Sequence, residues 1–128
     1  ANEFAQEFGA PSLMYRSDIG EFGATKLGKY LENGTLNNSN GQFVEVPNHM
    51  DASNLASRGN LVLMVGAGHV ATLTGGYSGE ANIRNLNIFQ AGAQDRNSGR
   101  HMFGGMKAVD GWGNKRIKSV KMYTWRSY

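Results

Sequence analysis

The chain has 128 residues, 40% hydrophobic and 18% charged, which is apolar enough for one modest core and argues against disorder. It contains no cysteine, so disulfides and thiolate metal sites are excluded, and its longest unbroken apolar run, Leu61 to Val65, is far short of a membrane span. The formal net charge is +3, with much of the excess at Arg96, Arg100, Lys107, Lys115, Arg116, Lys118, Lys121 and Arg126, which fits a solvated surface or an anionic partner such as nucleic acid, teichoic acid or acidic cell-wall glycans.

The start, Ala1-Asn2-Glu3-Phe4, has neither the basic region nor the apolar run of a signal peptide. A start without methionine is expected from a removed leader or from a domain cut out of a longer chain. Phe4, Ala5 and Phe8 share one face of a short helix over residues 2–8, with Gly9 as its C-cap and Pro11 beyond. A second helix is predicted from Asp18 to Leu31, carried by Ile19, Phe22, Leu27, Tyr30 and Leu31 and weakened by Gly20, Gly23 and Gly28. The stretch 33–41, NGTLNNSNG, reads as a polar surface loop. Residues 42–46 alternate like a short strand that ends at Pro47. Asp51 is expected to cap a helix with Ala52, Leu55 and Ala56 on one face and Gly59 closing it.

After Gly59 the pattern changes from helical to strand-like. Leu61 to Val65 predicts a strand buried on both faces, and Gly66-Ala67-Gly68 a tight turn. In the returning strand, His69 to Thr74, Val70 and Thr72 take one face and His69, Ala71 and Leu73 the other. Residues 87–91 read as a further strand, a glycine-rich loop runs on through Gly113, and residues 119–125 close the chain as a last strand. Helices followed by antiparallel strands make an α+β fold, one domain over residues 1–128, with N-terminal helices packed on one side of the sheet.

Three histidines are present, His49, His69 and His101. Only His69 opens a core strand directly after a glycine turn, where a rigid scaffold would hold its ring at a cleft edge as a general base. A buried histidine satisfied by a backbone carbonyl is the alternative. His69 has no HxH or HxxxH partner, and Asp51, Glu80, Asp95 and Asp110 are scattered, so no metal site is read.

The segments Ala1-Asn2-Glu3-Phe4-Ala5, 51–59 (DASNLASRG), Gly68-His69-Val70-Ala71, 87–93 (NIFQAGA) and the terminal VKMYTW strand occur in an order that resembles the papain-like cell-wall cysteine peptidases of the CHAP and NlpC-like kind. The resemblance spans nearly the whole chain, and Gly-His-Val-Ala is its most specific motif. It implies a papain-like core and a Cys–His mechanism without cofactor, in a peptidoglycan amidase or endopeptidase. A phage lysin, an autolysin and an antibacterial effector toxin all fit that description. It places the nucleophilic cysteine where this chain has Ala1, the base at His69, and a polar residue orienting the imidazole at Gln90 or Asn87. A methyl group cannot attack a carbonyl, so this form would be inactive, either through a Cys-to-Ala change or as a relative that kept only binding. The resemblance further implies secretion or a periplasmic or wall-associated location, peptidoglycan peptide stems as partners, and an immunity or inhibitor protein for a toxin. Tyr15, Asp18 and Gly68 are candidates for the substrate groove, and Trp112 and Trp125 for stacking on sugar rings. Two other readings compete: a basic ribonuclease toxin with His69 and His101 as acid and base, and a non-catalytic binding module in which Ala1 is natural.

Overall fold

The computed structural model describes residues 15–16, 20–21, 23–90 and 103–128. The elements in chain order are β1 (Tyr15–Arg16), β2 (Gly20–Glu21), α1 (Ala24–Asn33), β3 (Gly41–Glu45), α2 (His49–Ser57), β4 (Val62–Gly66), β5 (His69–Tyr77), β6 (Leu86–Gln90), β7 (Phe103–Lys107), α3 (Ala108–Arg116) and β8 (Lys121–Ser127). Short 3₁₀ turns precede β6 at Ile83–Asn85 and β8 at Ile117–Ser119. The fold is α+β. Six strands form one antiparallel sheet in the order β3-β8-β4-β5-β6-β7, and β1 with β2 makes a separate two-stranded ribbon. Among the described residues no helix is long and apolar enough to cross a membrane. The helix predicted over 2–8 lies outside the described residues.

Helices cover both faces of the sheet, not one. Val62 and Met64 of β4 join Ala71 and Leu73 of β5, Ala52 and Ala56 of α2, and Ala108 and Trp112 of α3 in one apolar cluster. The intervening residues Leu61, Leu63 and Val65 pack instead with Leu27 and Leu31 of α1, Phe43 of β3, and Tyr123 and Trp125 of β8. A strand that is apolar at every position needs cover above and below, and β4 is such a strand. The closing strand β8 is also interior, between β3 and β4, which is why Met122, Tyr123, Thr124 and Trp125 are all buried.

The glycine-rich loop expected through Gly113 instead holds β7, paired with β6, and the helix α3, and three other boundaries differ from the sequence reading for local reasons. α1 begins at Ala24, six residues after Asp18, because Gly20 and Glu21 pair with β1 and Gly23 is extended at the N-cap. Glycine is a poor helix former, so the apolar spacing did not extend upstream. α2 is capped by Asn48, whose side chain accepts from the Met50 and Asp51 amides; Asp51 sits inside the first turn, where its charge suits the helix dipole. The loop after α1 is not all surface, since Leu36 is only 2% exposed. Its asparagines close the free edge of the sheet: Asn37 Oδ1 accepts from the Phe43 amide at 3.0 Å, and Asn38 Oδ1 from the Gly41 amide at 3.2 Å.

At the far end of β5 the ladder with β6 shifts register between Leu73 and Tyr77. Gly75 has φ 94°, and a Cβ there would come within 2.9 Å of the Ser57 backbone nitrogen and Cα. The Gly76 amide donates to Ser53 Oγ at 3.0 Å. The bulge therefore seats α2 on the sheet by backbone contact. Gly75→Ala should cost about 2 kcal/mol or more in chemical denaturation, from the left-handed backbone and the clash together; a loss under half of that would show that the bulge relaxes freely.

Candidate functional site

The β4–β5 hairpin carries His69. Gly66 and His69 form its closing pair, and the loop is only Ala67-Gly68, with φ 49° and 75°. Two positive φ values in a two-residue hairpin define a type I′ turn, whose twist matches that of the strands. Ala67 is the only non-glycine residue with positive φ among those described. Its Cβ opposes that conformation by about 1 kcal/mol, and asparagine tolerates it better. Ala67→Asn should raise the melting temperature by about 2–5 °C; an unchanged or lower value would mean that the turn is not under strain.

From that turn β5 runs inward. The alternation places His69 on the face of Ala71 and Leu73, which are buried at 1% and 3% exposure. His69 itself is half-buried. Its ring meets the edge of Trp112 with centroids 4.9 Å apart and planes at 64°. Trp112 is 5% exposed, and its indole N–H donates to the Gly66 carbonyl at 2.7 Å. One side chain of α3 thus ties down the base of the hairpin and also walls the imidazole. Gly66 is tightly seated as well, because a Cβ on it would lie 3.0 Å from Val120 Cα.

The other residues singled out in the sequence fall into place unevenly. Gly68 forms the hairpin tip, where an added Cβ would meet Thr25 Oγ1 of α1 at 3.3 Å. Trp112 is a core wall instead of an open platform for a sugar ring, because stacking needs a free face and this indole is buried. The same holds for Trp125, which is 5% exposed and packs edge-on against Phe43. Asn87 does not orient the imidazole. Its side-chain amide donates to the Gly75 carbonyl at 3.2 Å, and its oxygen accepts from Ser78 Oγ. Ile88 pairs with Leu73, so Asn87 lies near position 74, roughly 16 Å along the strand from His69. Gln90 ends β6, one register step beyond the Thr72–Phe89 pair and opposite Phe103 of β7. Tyr15 stands in β1 with Glu21 as its partner. Ala1, Asp18, Asp95 and His101 lie outside the described residues.

Two features escaped sequence reasoning. His49 Nδ1 lies 2.9 Å from the Tyr77 hydroxyl, with the rings edge to face, at the opposite end of β5 from His69. The Trp112–Gly66 hydrogen bond joins positions 46 residues apart. Neither has a local signal, because both depend on which helix lies over which strand. Among the described residues no three His, Asp or Glu side chains gather where a cation could be held. No family model, curated protein or solved structure matches the chain.

Proposed function

We propose that this domain has the framework of a papain-like Cys–His hydrolase acting on amide bonds of peptidoglycan, as an amidase or endopeptidase, with position 1 as the nucleophile site. The observation that carries the reading is His69: a half-buried imidazole at the base of a tight hairpin, its ring walled by Trp112. The Gly-His-Val-Ala motif and a six-stranded antiparallel sheet flanked by helices support it. A fixed imidazole suits a base, because proton transfer requires the ring nitrogen to be held within hydrogen-bond reach of its partner.

In that mechanism a cysteine thiol at position 1 gives its proton to His69. The thiolate adds to the amide carbonyl, and the imidazolium returns the proton to the departing amine as the C–N bond breaks. Water then attacks the thioester, with His69 taking its proton, and the acid is released. The position also suits a thiolate if residues 2–8 form the expected helix, since a helix N-terminus lowers thiol pKa. Gln90 is the orienting group in this proposal, with Asn87, whose amide donates to the Gly75 carbonyl, the weaker alternative. The Ala1 form has no nucleophile and would bind without turnover. Exported action at the cell wall, on peptide stems and under the control of an inhibitor protein, belongs to the same proposal. The test is cysteine at position 1, followed by assay of isolated sacculi for released amines, with RNA as the control substrate.

A further inference from the structure

A groove of about 290 Å³ runs between α1, the β4–β5 hairpin and the start of β8. Gly28 and Gly68 line it without side chains, beside Val65 and Thr25, so a ligand backbone can approach closely there. Ala67 and Gly68 also line it, and their peptide groups have no hydrogen-bond partner among the described residues.

The walls carry Lys29, Lys121 and Glu32. Lys121 Nζ lies 2.9 Å from Glu32 Oε1, with side chains 48% and 62% exposed. The hydrogen bond that Lys121 donates to Glu32 raises its pKa above the ordinary value, so the ammonium remains charged at neutral pH. So exposed a pair is screened by water and exchanges easily. Lys29 has no ion pair among the described residues, which leaves the groove one positive charge in excess. From residue 111 to the end the chain has no acidic residue to offset it. Burial pushes the Tyr123 phenol above its ordinary pKa, so this lining residue is neutral and does not repel an anion.

We infer that this groove binds a short peptide through a carboxylate, which competes with Glu32 for Lys121 while Lys29 supplies a second contact. Glu32 is then an internal competitor, and its removal strengthens binding. The peptide groups at the hairpin tip, unpaired among the described residues, favour a peptide over a bare phosphate. The groove lies on the α1 side of the sheet, with Val65 and Tyr123, whereas His69 faces Trp112 on the other side, so this binding inference stands apart from the hydrolase reading.

The Ala1 protein as it stands is titrated, by calorimetry and by amide chemical shifts, with the peptide Ala-Glu-Ala-Ala and with an Ala-Gln-Ala-Ala peptide amidated at its C-terminus. Glu32→Gln should tighten the acidic peptide by about three-fold, whereas Lys121→Gln and Lys29→Gln should each weaken it by about three- to five-fold, the range of exposed charge pairs. The amidated peptide should be insensitive to all three. Equal affinity for the two peptides, weaker binding by Glu32→Gln, or no binding at all would overturn the inference. Binding with these signs in a protein whose cysteine form hydrolyses nothing would keep the groove and reject the hydrolase. Hydrolysis without them would do the reverse.

Discussion

Cysteine at position 1 should convert the domain into an amide hydrolase, and His69→Ala in that background should lower its rate on sacculi by about 10²- to 10⁴-fold. The magnitude is that of removing a positioned general acid–base. It is this large because His69 does two jobs in the scheme: it makes the thiolate, and it protonates the leaving amine. The fold should survive the change. His69 is half-buried at the start of β5, and its neighbours Ala71 and Leu73 anchor the strand through their own burial. A melting curve of the double variant separates loss of chemistry from loss of structure. His69→Gln is the second control, since it keeps a polar side chain against Trp112 without the base. An Ala1→Cys protein that folds yet releases no amines would reject the assignment, as would full activity in either His69 variant. RNA cleavage by the Ala1 form would point to the ribonuclease reading.

Local patterns were legible where one short segment decides its own structure. The run from Leu61 to Val65 announced a strand buried on both faces, and its residues do divide between two apolar clusters. Gly66-Ala67-Gly68 announced a tight turn, and His69 was set on the face of Ala71 and Leu73. What depended on partners far along the chain was not legible. The apolar pattern of the closing strand is compatible with an edge or a centre, and only pairing with both β3 and β4 makes it central. Trp112 looked like a sugar platform because an aromatic in a polar, glycine-rich stretch carries no sign of the cavity it fills. Sequence alone favours Gln90 over Asn87 as partner for the imidazole without deciding between them, and the bulge at Gly75 and Gly76 takes up the Asn87 amide.

The link that the sequence concealed gives the second large effect. Trp112→Ala should destabilise the domain by about 3–5 kcal/mol, the cost of emptying a large aromatic site. A domain of this size has about 5–15 kcal/mol in total, so much of the margin would be gone. Trp112→Phe is more informative. It keeps most of the apolar volume but deletes the N–H that reaches the Gly66 carbonyl at 2.7 Å. Losing that part-buried bond, with the carbonyl still held by the His69 amide across the hairpin, should cost about 0.5–1.5 kcal/mol. Gly66 closes the hairpin directly opposite His69, so the lost bond also loosens the imidazole. In the cysteine form, Trp112→Phe should therefore lower kcat while leaving KM nearly unchanged, because positioning the base matters to the reaction and not to substrate capture. Measured well below the melting transition, that split identifies Trp112 as a positioning residue. A variant that loses stability but keeps its kcat would show that the indole bond holds the core together without holding His69 in place.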